Sequence, residues 1–85
     1  MPKVGSVRGI NVIIFYEDHP PPHVHVRHGD HKAKLALESL EVLDGSLPPS
    51  QLKILRKWVI NNIQDLEDNW ERARKHQKLV TIKEA

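Results

Sequence analysis

The chain has 85 residues, with 39% hydrophobic and 28% charged side chains, 13 Lys plus Arg against 11 Asp plus Glu, and no cysteine. A chain of this length supports a single core, so we expect one domain over residues 1–85. The missing cysteine excludes disulfides, thiolate zinc sites and cysteine nucleophiles. The small positive charge does not by itself indicate nucleic-acid binding, and the lack of a long apolar run predicts a cytoplasmic protein without a membrane span.

The first part of the chain has the composition of strands. Residues 10–16 carry apolar side chains at both alternations, which predicts a central strand covered on both faces. Residues 3–7 are expected to pair with it through the turn at Arg8 and Gly9. The run Pro20 to Pro22 follows, and three successive residues without an amide proton predict an extended polyproline segment on the surface.

A hairpin is predicted around Gly29 and Asp30, a two-residue loop between residues 23–28 and 31–37. Pairing His28 with His31 puts four apolar side chains of the hairpin on one face. That face carries Val24, Val26, Ala33 and Leu35. The opposite face, which we expect to be exposed to solvent, carries His23 beside Ala36, His25 beside Lys34, and Arg27 beside Lys32.

The second half of the chain predicts one further strand and then helix. Residues 41–43 read as a strand that ends at the Asp44-Gly45 turn, and Pro48 or Pro49 suits the first turn of a helix. Apolar residues then recur at helical spacing: Leu52, Leu55, Val59, Ile63, Leu66, Trp70 and Ala73. Asn61 and Asn62 form a plausible interruption, with Asn62 capping a second helix that has Asp65 in its first turn. One long helix remains an alternative, and its overhang would favour a homodimer.

These elements predict an α+β fold: a mainly antiparallel sheet of about four strands with one long or two shorter helices between residues 48 and 76 packed across one face. The periodicity makes Trp70 a core residue rather than a surface on which bases stack. Residues 79–82 alternate weakly and are expected to form an edge strand or to fray.

Five of the six histidines lie between positions 19 and 31, and this cluster has three interpretations. In the first, the histidines only frame turns and strand ends. In the second, Arg27, Lys32 and Lys34 neutralise a phosphodiester while His23 and His25 act as catalytic base and acid. Asp18 and His19 would then orient the proline segment or support the site.

The third interpretation is a divalent metal site. His23 and His25 are two residues apart on one strand, so their side chains point the same way, and His19 or Asp18 would complete the ligand set. The metal ligands on this alternative are His19, His23 and His25. The positive charges of Arg27 and Lys34 beside these rings oppose a divalent cation, so the leading hypothesis requires no cofactor.

The run Asp18-His19-Pro20-Pro21-Pro22-His23-Val24-His25 resembles the D-H-x-P-P-H-x-H signature of a family of short bacterial proteins catalogued as a domain of unknown function. The resemblance extends to Gly45-Ser46-Leu47-Pro48 and to Asn69-Trp70-Glu71-Arg72-Ala73. Such proteins are often encoded beside a second small protein, in pairs that look like toxin and antitoxin modules. The resemblance therefore implies a non-secreted bacterial protein with a small antitoxin-like partner and a target related to nucleic acid.

The leading prediction is a toxin-like component of such a module that binds or acts on RNA or DNA through the hairpin face. The alternatives are a metal-binding or metal-dependent enzyme, and a non-enzymatic antitoxin or adaptor. The sequence does not decide whether the protein is an enzyme.

Overall fold

The computed structural model describes residues 3–16 and 18–83. The strands are β1 (Lys3–Val7), β2 (Ile10–Ile13), β3 (His23–His28), β4 (His31–Ala36) and β5 (Val42–Gly45), and the helices are α1 (Pro49–Asn61) and α2 (Ile63–Arg74). The strands form one sheet in the order β1-β2-β3-β4-β5, and each neighbouring pair is antiparallel. The predicted α+β fold is confirmed, with five strands where about four were expected. Among the described residues, no helix has the length and apolarity to cross a bilayer.

Strand β2, which was predicted to be central, is the second strand of the sheet and is shorter than predicted. It ends at Ile13, and the chain turns at Tyr16. Burial at both alternations is confirmed, because Val12, Ile13 and Ile14 are all buried. The apolar run thus predicts burial at both alternations correctly, although residues 14–16 lie outside the strand.

The β3–β4 hairpin has the predicted register at all six pairs, from His23 with Ala36 to His28 with His31. Gly29 has a φ of 59°, a conformation that glycine adopts without a steric penalty. The expected apolar face is buried, since Val24, Val26, Ala33 and Leu35 all belong to the core. This register fixes the positions of the candidate site residues.

Strand β5 differs from the prediction, because Asp44 and Gly45 lie within the strand rather than in a turn after it. Lys34 pairs with Asp44 while Leu35 pairs with Val42, so β5 has an irregularity at this point. Gly45 has a φ of 74°, and a side chain there would collide with the carbonyl oxygen of Lys32. The Asp44-Gly45 pair is therefore a strand irregularity and not a hairpin turn.

Residues 49–74 form two helices, and they are separated at Asn62 as the sequence suggested. Pro49 occupies the first helical position of α1, where its missing amide proton costs nothing. The expected capping of α2 by Asn62 is wrong, since its side chain makes no cap hydrogen bond. Instead its Nδ2 donates back to the carbonyl of Trp58 at 2.9 Å, so the Asn62 side chain ends α1.

The helical apolar stripe packs into the core, and Trp70 is buried as predicted. The segment from Leu79 to Lys83 forms no assigned strand, but the amide of Ile82 donates to the carbonyl of Val4 at 2.7 Å. Buried Asn69 holds the same segment, since its side chain bonds both the amide and the carbonyl of Val80. This C-terminal segment is therefore fixed against the edge strand β1.

Candidate functional site

Three side chains meet where the proline segment enters β3, and we call Asp18, His23 and His25 the histidine centre. The Nε2 atoms of His23 and His25 lie 3.3 and 3.1 Å from the same oxygen, Oδ2 of Asp18. The centroids of the two imidazole rings are 5.0 Å apart. The prediction that both rings emerge on one side of β3 is thus met by the geometry.

His23 is buried, with 4% of its surface exposed, although the sequence analysis expected it on the solvent side. This expectation is wrong because Trp70 of α2 covers the end of the strand, with its ring centroid 5.2 Å from that of His23. The Nδ1 atom of His23 lies 2.8 Å from the carbonyl oxygen of Pro21. A carbonyl only accepts hydrogen bonds, so Nδ1 carries the proton and, in the neutral ring, Nε2 carries a lone pair.

His25 is half-buried and donates a hydrogen bond from Nε2 to Asp18. The edge of its ring contacts Phe15, with centroids 4.5 Å apart. Burial lowers the pKa of His25 below its ordinary value, the Asp18 carboxylate acts in the opposite direction, and the neighbouring Lys34 ammonium lowers it further. The lowered pKa favours the neutral form of His25, and a neutral imidazole can bind a metal or accept a proton.

His19 has a different position from the one that the metal hypothesis gave it. Within the described part of the chain, the side chains that bring metal-ligating atoms together are Asp18, His23 and His25, whose atoms lie within 4.8 Å of one another. His19 is exposed and lines a neighbouring cleft. The chain bends at Pro20 and Pro21, whose peptide bond is cis, and does not run as the straight strut that was predicted. Asp18 rather than His19 places a potential ligand atom beside those of the two rings.

The register places His25 in a row of side chains that crosses the sheet. Ile13 lies opposite His25 on one side and Lys34 on the other, and Asp44 is opposite Lys34. His25, Lys32, Lys34 and Asp44 line a cleft of about 280 Å³. Arg27 is paired with Lys32 one step nearer the hairpin turn. The predicted basic residues therefore lie beside the histidine centre.

Sequence reasoning missed three contributors: the Pro21 carbonyl, Phe15 and Asp44. The role of Asp44 could have been found, because extending β5 by two residues places this carboxylate opposite Lys34. Its Oδ1 accepts a hydrogen bond from the amide of Gly45 at 3.0 Å. The contacts of Pro21 and Phe15 depend on how the connection between β2 and β3 folds, and no local pattern indicates that path.

A family model described as Domain of unknown function (DUF4160) matches residues 9–71. The chain belongs to this family. The DUF4160 match includes the whole histidine centre and the basic residues of the hairpin. The curated proteins and the solved structures gave no match.

Proposed function

We propose that this DUF4160 protein is the toxin-like component of a bacterial two-protein module, and that it acts on nucleic acid at the cleft beside His25. The observation that carries the proposal is the shared lining: His25 belongs to the histidine centre and also, with Lys32 and Lys34, to one cleft of about 280 Å³. In such a cleft the charges of the lysines hold a phosphate, and the imidazole beside them performs acid–base chemistry.

The charges at the cleft favour an anion. Lys32 is exposed and Lys34 is half-buried, while Asp44 is the acid that lines the same cleft. The Asp44 carboxylate already accepts a hydrogen bond from the amide of Gly45, so part of its hydrogen-bonding capacity is satisfied without the lysines. Lysine side chains reach several ångströms from the sheet, so both ammonium groups can contact one backbone phosphate.

Binding is tested by fluorescence anisotropy with labelled single-stranded RNA and DNA in the presence of a chelator. We expect the double variant Lys32→Ala and Lys34→Ala to bind at least about tenfold more weakly. The salt dependence should also fall, by about 0.7 in logarithmic slope for each lost phosphate contact on a single strand. The matched control is Lys53→Ala with Lys57→Ala, which removes two exposed lysines from α1. Equal losses in the two double variants would place binding outside the cleft.

The cellular role needs its own experiment. Induced expression of the intact protein should arrest growth, and the module predicts that a small protein encoded beside it restores growth when the two are co-expressed. The His25→Ala variant should be much less harmful at the same expression level. Harmless expression of soluble, folded protein contradicts the toxin role and favours an antitoxin or adaptor.

A further inference from the structure

The histidine centre contains an electrostatic contact that stays unsatisfied while the ring of His23 is neutral. His23 donates a hydrogen bond from Nδ1 to the Pro21 carbonyl, so in the neutral ring its Nε2 has a lone pair. That lone pair faces a carboxylate oxygen of Asp18 at 3.3 Å. Nε2 is buried and has no hydrogen-bond partner. Two electron-rich atoms held this close repel each other unless a positive charge lies between them.

We propose that a divalent transition-metal ion occupies this position and is bound by Asp18 Oδ2, His23 Nε2 and His25 Nε2. In the metal-free chain His25 Nε2 carries the proton that bonds Asp18, so binding of the ion requires His25 to carry its ring proton on Nδ1 instead. This inference goes beyond the nucleic-acid proposal, because it depends only on the three ligand atoms. Metal–nitrogen and metal–oxygen bonds of about 2.0–2.2 Å place neighbouring ligands of a tetrahedral ion roughly 3.3 Å apart. The observed nitrogen–oxygen separations of 3.3 and 3.1 Å match that spacing before any side chain moves.

The surroundings of the rings are those of a metal site. Histidine ligands usually donate their second ring proton to a carbonyl or carboxylate, which fixes the tautomer and the ring orientation. The Pro21 carbonyl does this for His23 at 2.8 Å. Trp70 covers one ring and Phe15 contacts the other, so the centre is screened from water on two sides. In this arrangement His23 has no freedom to choose another tautomer without losing its hydrogen bond.

The ligand set also selects the class of metal. Two imidazoles with one carboxylate suit zinc, iron, cobalt or nickel, whereas magnesium and calcium prefer oxygen ligands. Three protein ligands leave at least one coordination position for water or substrate. A cleft of about 220 Å³, lined by Asp18, His23 and Lys34 among others, gives access to that position.

Lys34 has a defined role beside an occupied centre. A divalent ion with one carboxylate ligand keeps a net charge of about +1, so it attracts an anion to its open position. Lys34 borders both this cleft and the cleft beside His25, and it adds a second positive charge there. Its repulsion of the ion is reduced by Asp44, which lies opposite it in the sheet. The geometry thus favours a negatively charged fourth ligand, such as a phosphate oxygen.

The experiment uses the full chain without a histidine tag, freed of metal by chelation and then titrated with Zn²⁺ in a calorimeter. We expect one Zn²⁺ per chain, little response to Mg²⁺, and a visible absorption spectrum of four- or five-coordinate Co²⁺. Asp18→Asn removes the charged ligand at nearly constant volume and should weaken Zn²⁺ binding at least about 100-fold, more than the loss of an outer-shell partner. The matched controls are Asp30→Asn and His31→Ala, which alter exposed residues of the same hairpin and should bind normally.

A proton on Nε2 of His23 is the competing source of positive charge. Nitrogen NMR of the histidine rings in the metal-free protein separates the cases, since a doubly protonated His23 ring at neutral pH would overturn the proposal. Zn²⁺ binding that is unchanged in Asp18→Asn and in His25→Ala, with both variants folded by circular dichroism, would overturn it equally. The nucleic-acid experiment is performed with chelator and depends on Lys32 and Lys34, so failure of either proposal leaves the other measurable.

Discussion

The buried side chain of Asn69 should be worth a large share of the stability of this fold. Asn69 is fully buried, and its amide makes three hydrogen bonds: Nδ2 donates to the Val80 carbonyl, while Oδ1 accepts from the Val80 amide and from Arg72. Replacing it by alanine removes all three and leaves a small cavity. At about 0.5–1.5 kcal/mol for each bond, the loss is roughly 1.5–4.5 kcal/mol.

This loss is large compared with the expected free energy of unfolding of the whole domain. Stabilities of about 0.05–0.15 kcal/mol per residue give a domain of this size roughly 4–13 kcal/mol. Urea unfolding followed by tryptophan fluorescence measures the difference, and Asn61→Ala is the matched control because Asn61 is exposed at the end of α1. The control should change the free energy of unfolding by less than about 0.5 kcal/mol.

A second readout locates the effect in the C-terminal segment. In Asn69→Ala the amide protons of Val80 and Ile82 should exchange with solvent much faster, because Asn69 anchors the segment that bonds β1. A loss below about 1 kcal/mol with unchanged exchange would refute the reasoning, since it would mean that these bonds do not hold the segment in place.

Two further predictions follow from the structure. Gly5→Ala should destabilise the protein by about 1–3 kcal/mol in urea unfolding, because the new Cβ would lie 2.8 Å from the ring of Trp58; an unchanged midpoint would show that the indole moves freely. Acid should destabilise the metal-free protein partly through His25, because the pKa of this residue is lowered in the folded state. The contribution of His25 to the free energy of unfolding is therefore present above its ordinary pKa of 6.5 and is lost as the pH falls through the lower folded pKa. Stability measured between about pH 7.5 and 5 should therefore fall less in His25→Ala than in the unaltered chain, and equal slopes would contradict the assignment.

The parts of the fold that were predictable have local causes. The Gly29-Asp30 loop fixes the pairing of its two flanking strands, and this register puts Val24, Val26, Ala33 and Leu35 on the same face. The helical stripe and the break at Asn62 are likewise local features of the sequence. These patterns correctly placed His23 and His25 on neighbouring positions of one face.

The parts that failed depend on distant residues. The burial of His23 is caused by Trp70, which is far away in the chain and reaches the strand only through the packing of α2. Buried Asn69 lies next to Trp70 in a polar helical sequence, and its partner Val80 is 11 residues further on. Which of the adjacent residues Asp18 and His19 faces the rings depends on the bends at Pro20 and Pro21. None of these contacts has a signature in the residue pattern.

The three members of the histidine centre are close together in the chain as well as in space, since Asp18 and His25 are only seven positions apart. The centre is therefore contained in one connection and the strand that it enters. Substitutions within that short stretch can alter the ligands while the hairpin register and the helix packing, which are determined by other residues, stay the same. Chemical specificity and structural stability are in this way encoded in largely separate parts of the sequence. Trp70 connects the two parts, because it belongs to the core and also contacts the ring of His23.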